Sequence, residues 1–244
     1  MADAPTVLVT GSTSGIGRAT ARRLADDGAR VVVCGRTAER VDAAVRELGP
    51  DARGVVADLF GAEGAETVAA ALDGTALDGL VLCHGGDQVP GIFRDADPDG
   101  FAPLAEAMFL TNARLVHRLL PRLGGGRIVL VTSEAGRAPT VGEVMIGALA
   151  AANLMFVRTL AKEAARDGIR VHAVSVSLTT DTETHDRVME ASDFSRRLFE
   201  RAAARMPFGP VRAADVAEAI VHLLGPGSAA TTGQIVAVTG GLTT

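Results

Sequence analysis

The run Val7-Leu8-Val9-Thr10-Gly11-Ser12-Thr13-Ser14-Gly15-Ile16-Gly17 decides the fold. Its first residues are apolar and largely β-branched, as in a short buried strand; its last are spaced by glycine, and a helical pattern begins at Arg18. A glycine loop therefore stands where a strand turns into a helix. The first N–H groups of a helix have no partner within it and carry about half a positive charge, and glycines let an anion approach them. The strand before and the helix after supply the context that separates a pyrophosphate cradle from a chance glycine triplet. Gly11, Ser12, Thr13, Ser14, Gly15, Ile16 and Gly17 are the expected cradle.

Further along, apolar β-branched runs recur at Arg30 to Cys34, Gly54 to Val56, Gly79 to Cys83, Arg127 to Thr132, Arg170 to Val176 and Gln234 to Val238. Between them lie patterns of period near 3.6: Arg18 to Asp27, Ala38 to Leu48, Ala62 to Leu72, Gly147 to Arg166 and Ala213 to Leu224. Nearly continuous apolar strands alternating with helices predict an α/β fold with a Rossmann-type doubly wound parallel sheet of about seven strands, in a three-layer αβα sandwich. Gly28, Gly49-Pro50, Gly124-Gly125-Gly126 and Gly168 fall where helices should stop. No linker or repeat interrupts the series, so residues 1–244 read as a single domain. Thr179 to Pro210 departs from the alternation, with polar clusters followed by an amphipathic stretch; it reads as a substrate lid or helical insertion, the alternative being an ordinary surface loop pair.

The 244 residues are 48% hydrophobic and 22% charged, enough to bury a sizeable core, which excludes a disordered tail. A net charge of -5 gives no basic footprint, so the expected partner is a small molecule, not nucleic acid or a membrane. Two cysteines, Cys34 and Cys83, are too few for a disulfide framework. With no basic-then-apolar leader at Met1 to Thr6, a cytoplasmic location is expected. His117, His172 and His222 show no metal-ligand spacing, and no metal site is expected. The chain has no tyrosine, no tryptophan and one lysine, Lys162.

Thr10-Gly11-x-x-x-Gly15-x-Gly17 resembles the cofactor loop of the short-chain dehydrogenase/reductase family, and the resemblance spans nearly the whole chain. It implies that Asp58 meets the adenine, that Leu59, Cys83, His84, Gly85 and Thr179 join the cofactor site, and that Ser133 is the active-site serine. Thr232-Gly233-Gln234 with Gly240-Gly241 resembles the family's C-terminal strand. Relatives commonly form homodimers or homotetramers, here expected through Arg114, Arg118 and the Gly147 to Arg166 helix.

An NAD enzyme places a carboxylate at the end of the second strand, where it would repel a 2′-phosphate. This chain has Gly35 there and Arg36 beside it, with Thr37 and Arg40 close by. Arginine offers a charge-assisted fork to phosphate, so NADPH is expected to bind better than NADH by roughly 1.5 to 3 kcal/mol per such bond. The alternative is that Arg36 only solvates a loop.

By resemblance, a tyrosine should lie thirteen residues after the serine and a lysine four further on; counting from Ser133 reaches Ile146 and Ala150. The family's Asn-Asn-Ala-Gly reads Leu82-Cys83-His84-Gly85, its Pro-Gly reads Val176-Ser177, and its helix asparagine is expected near Met108, displaced or lost. Reducing an ordinary ketone leaves an alkoxide, whose conjugate acid resembles water at ~15.7. Reducing a quinone leaves a phenolate at ~10, easier by about 6 units or up to roughly 8 kcal/mol, more than the ~10²- to 10⁴-fold of a positioned acid. The leading expectation is hydride transfer from NADP(H) to a quinone or other activated conjugated carbonyl, such as an aromatic polyketide. The alternative is a catalytically silent NADP(H)- or ligand-binding protein; a lyase or dehalogenase ranks below both, because it would rebuild the glycine loop.

Ser133 reads as a donor to the acceptor oxygen or as a strand cap, and His84 as a proton source or a structural residue. Glu134, Glu143, Asp181 and Thr182 flank the expected cleft. With Ser133 and Glu134, Met145 and Ile146 are the expected substrate wall, joined by Leu149 and Met155, suited to a flat hydrophobic ligand; core packing is the better reading for Met155.

Overall fold

The computed structural model describes residues 4–85 and 87–243. Of the Met1 to Thr6 reading, Met1, Ala2 and Asp3 lie outside the described residues. The strands are β1 (Thr6–Thr10), β2 (Arg30–Gly35), β3 (Arg53–Val56), β4 (Gly79–Leu82), β5 (Arg127–Ser133), β6 (Arg170–Val176) and β7 (Ile235–Val238). All neighbours pair in parallel in the order β3-β2-β1-β4-β5-β6-β7. The order reverses between β1 and β4, and ligands of open α/β sheets bind at the carboxyl ends of strands at such a switch point.

The helices are α1 (Gly15–Asp26), α2 (Ala38–Leu48), α3 (Ala62–Ala71), α4 (Phe101–Ala105), α5 (Thr111–Leu119), α6 (Val144–Ala164), α7 (Glu183–Ala191), α8 (Asp193–Ala203) and α9 (Ala213–Leu224). The strands are apolar on both faces because each face is covered. Leu72, Leu115, Leu119, Leu154 and Val157 bury one face beneath α3, α5 and α6. Leu24, Val41, Ala44, Val216 and Ile220 bury the other beneath α1, α2 and α9. By length and composition α6 resembles a membrane span. Its Ala150, Leu154, Val157, Ala161 and Ala164 are buried, however, and it packs along β5 and β6 as a core helix.

Three segments differ from the sequence reading. Helix α1 starts at Gly15 rather than Arg18, and α6 at Val144 rather than Gly147. Between β4 and β5 the expected helix is broken by a π turn over Glu106–Leu110, joining α4 to α5. Thr179 to Pro210 holds the helix pair α7 and α8, in keeping with a helical insertion and not with a surface loop pair. Thr182 and Ser192 cap the two helices, each accepting a backbone N–H at 3.1 Å. Phe194 of α8 lies over Gly142, where a Cβ would come 2.5 Å from its ring.

Candidate active site

A cleft of about 410 Å³ opens at the switch point. Its floor is the β1–α1 turn. Gly11 has φ +64° and faces the β4 end so closely that a Cβ would lie 2.9 Å from the Cys83 carbonyl oxygen. A Cβ on Gly17 would overlap the Gly11 carbonyl. Ser14 precedes α1 with no side-chain cap bond, and the first turn carries no acid. The leading N–H groups of α1 therefore meet neither a capping side chain nor a competing carboxylate, as a bound phosphate requires. Thr13, Ser14, Gly15 and Ile16 line the cleft with Gly11 and Gly17. Ser12 does not: it is buried, its hydroxyl donates to the Val9 carbonyl at 2.7 Å and accepts the Cys34 N–H at 3.0 Å. It braces the turn rather than facing a ligand.

At one end stand Arg36, Thr37, Arg40, Asp58 and Leu59, as expected, together with Phe60, which the sequence reading missed. Gly35 carries no side chain because Thr13 occupies the space, its Cγ2 2.7 Å from where a Cβ would be. The exposed Arg36 guanidinium rests 5.7 Å above the Phe60 ring, and Arg40 reaches Glu183 of α7 at 2.5 Å. Asp58 accepts the Phe60 N–H at 3.2 Å.

The middle is formed by Cys83, His84, Gly85 and Thr179. Burial pushes the Cys83 thiol, like that of Cys34, up to about 12, so neither is a thiolate at neutral pH. His84 Nδ1 meets Thr10 Oγ1 at 2.9 Å, and burial lowers the imidazole to about 4. It is neutral at pH 7, which removes the imidazolium that a proton source would need. His84 Nε2, Gln88 Oε1 and Ser177 Oγ are shielded, have no hydrogen-bond partner among the described residues, and belong to residues lining the cleft. Unpaired buried polar atoms are costly, so three around one cavity fit a polar ligand that pairs with them. The residues present thus fit a dinucleotide.

The far end holds Ser133, Glu134 and Ile146. Ser133 Oγ accepts the Ala135 N–H at 3.1 Å, which caps the turn after β5 and leaves its proton free to donate. Glu134 is buried with both oxygens engaged, by Ser175 at 2.6 Å and Thr243 at 2.5 Å, and Arg137 lies 3.2 Å away. It ties β5 to β6 and the C-terminus rather than contacting a substrate. Met145 and Leu149 are not part of the cleft wall, and Met155 is 59% exposed, so it is neither core nor cleft. Met108 itself stands in the helix, and Asn112 follows it by four residues. With Asn153, also in the cleft wall and unforeseen, Asn112 donates to the Met108 carbonyl, at 2.8 and 2.9 Å respectively. An amide on the buried side of an otherwise apolar helix, three residues after Ala150, is the signal that marked Asn153.

A parallel sheet with a glycine turn at its switch point is the arrangement of a nucleotide-binding protein of Rossmann architecture. The family model described as "Enoyl-(Acyl carrier protein) reductase" matches residues 11–243. A provisionally named ketoacyl reductase of Streptomyces coelicolor is 33% identical over 98% of this chain and 97% of its own length. Another, of the granaticin polyketide synthase of Streptomyces violaceoruber, is 32% identical over 98% and 93%. The solved structure of a variant actinorhodin polyketide ketoreductase with NADPH is 33% identical, covers 98% of this chain and 97% of its own, and superposes with a TM-score of 0.89. The chain belongs to the short-chain dehydrogenase/reductase family.

Proposed function

We propose that this protein is a cytoplasmic NADPH-dependent reductase acting on a quinone or a similarly conjugated, flat carbonyl compound, including aromatic polyketides, without a tyrosine–lysine relay. One observation carries the reading: the glycine cradle and the arginine-bearing end are complete, while Ile146 and Ala150 stand where the family's phenol and ammonium are expected, in a chain without tyrosine. The names borne by the Streptomyces relatives and the NADPH-bound ketoreductase support the cofactor and the polyketide class.

Bound NADPH supplies a hydride to the acceptor. The chain's own residues then act in three ways. The α1 N-terminus and Gly11–Gly17 hold the pyrophosphate, and Arg36 with Arg40 reads the 2′-phosphate. Ser133 orients the acceptor by donating to its oxygen. Ile146 with Leu198 and Phe199 of the α7–α8 lid keeps the wall apolar and excludes water. An acceptor that ends as a phenolate tolerates the missing phenol; an ordinary ketone does not. We further propose a homodimer or homotetramer assembled across α5 and α6.

The test is anaerobic NADPH consumption with 1,4-naphthoquinone beside cyclohexanone. Turnover of the quinone at least ~10²-fold faster supports the reading. NADPH binding without consumption of any acceptor identifies a silent binder, and equal rates mean a full acid relay is present.

A further inference from the structure

We propose that Glu143 is the proton donor of this site, standing one helical turn before Ile146 at the entrance to α6 and facing the same cleft as Ser133. The inference rests on the reductase reading above. Glu143 is the N-cap of α6, three residues before Ile146, and both line the cleft. The acid thus sits beside the position where the family's phenol is expected.

The other carboxylates of the cleft are occupied. Glu134 accepts from Ser175 and Thr243, Asp58 from the Phe60 N–H, Asp87 pairs with Arg187 at 3.2 Å, and Glu183 with Arg40. The Glu143 carboxylate has no hydrogen bond or ion pair among the described residues; its backbone N–H donates to the Thr140 carbonyl and its carbonyl accepts the Gly147 N–H. Burial pushes its carboxyl up to about 7. Leu198, Phe199 and Ala202 of α8 and Val188 of α7 line the same cleft and add apolar surface to it. The remaining titratable groups around the cavity are His84, which is neutral, Cys34 and Cys83, both thiols, and the paired Asp87, Glu134, Glu183 and Arg187. Arg36, Arg40 and Asp58 stand at the opposite end. None of these groups fixes Glu143 as a carboxylate.

Bound NADPH would give up hydrogen with both electrons of one C–H bond, leaving NADP⁺; a new bond from that hydrogen to the conjugated acceptor forms, and negative charge develops on the acceptor's carbonyl oxygen. The O–H bond of Glu143 breaks as a new O–H bond forms on that oxygen. The carboxylate left behind regains its proton from water. A donor near neutrality passes a proton downhill to a phenolate at ~10, and acids poised near the working pH are the most effective.

The experiment compares wild type with Glu143→Gln and Glu143→Asp, using NADPH and 1,4-naphthoquinone without oxygen. Fluorescence titration of NADPH, which needs no turnover, is expected to give affinities within about twofold of wild type for both. In Glu143→Gln, kcat at pH 6 falls ~10²-fold with little change in KM. Wild-type kcat declines as pH rises through 7, Glu143→Gln is flat, and Glu143→Asp keeps a titrating limb. A Gln variant with wild-type kcat and pH profile overturns the donor role and leaves the reductase reading standing. A wild type that binds NADPH yet consumes none overturns both.

Discussion

Arg36 is exposed, its guanidinium lies 5.7 Å from the centre of the Phe60 ring, and it makes no hydrogen bond or ion pair among the described residues, so it is available to a phosphate. Arg36→Ala is expected to weaken NADPH roughly 10- to 100-fold and leave NADH unchanged, read by fluorescence titration of each. Parallel losses for both nucleotides would assign Arg36 no part in phosphate reading. Asn153 supports the site from beneath. Asn153→Leu leaves the Met108 carbonyl with one donor fewer and removes a partner 3.3 Å from the Asn112 amide. A loss of about 1 to 3 kcal/mol in urea unfolding is expected. Arg36 and the cradle glycines were legible because their spacing is local to one turn. Phe60, Gln88, Ser177 and Asn153 were not, because their place in the cleft depends on which strand ends and helix faces meet across the fold. Ser12 shows the reverse: its position in the glycine turn suggested a ligand, and the neighbouring strand takes its hydroxyl instead.

Among the elements, the strands were readable as β-branched runs and α2 and α9 to the residue, because burial on both sheet faces leaves few polar interruptions. The π turn at Glu106–Leu110 had no residue signature. It exposes the Met108 carbonyl to two amides contributed by different helices, a long-range cause. The β1–α1 turn is the element with least tolerance. In Gly17→Ala the new methyl meets the Gly11 backbone, which cannot yield as a flexible side chain would. Loss of NADPH binding with an unchanged far-ultraviolet circular dichroism spectrum is the expected outcome. The α7–α8 pair is tied to α2 through Arg40 and Glu183, beside the end assigned to the 2′-phosphate. NADPH is therefore expected to slow proteolytic cleavage between residues 179 and 210 more than NADH does.

At the scale of the whole molecule, two buried histidines and one carboxyl act on stability in opposite directions. Burial, then the charge of Arg170, holds His172 below its ordinary value, and burial lowers His84 to about 4. Between pH 6.5 and those folded values the unfolded chain binds more protons, so stability falls as pH falls. Glu143, raised to about 7, binds a proton in the folded state first, and from pH 7 down to its unfolded value of 4.5 it offsets part of that loss. His172→Leu is expected to flatten the decline in urea midpoint below pH 6.5, and Glu143→Gln to steepen it. Assembly is tested at the same scale: Arg114 and Arg118 pair with Glu106 and Glu66, while Met155 projects from α6. Met155→Asp should lower the mass seen by light scattering if copies meet across this helix.

The most direct measurement is a crystal structure grown with NADP⁺. The pyrophosphate is expected on the Gly11–Gly17 turn, the 2′-phosphate against Arg36, and the nicotinamide ring beside Ser133 and Ile146. A blocked or empty groove at saturating nucleotide, or a 2′-phosphate turned away from Arg36, would contradict this placement.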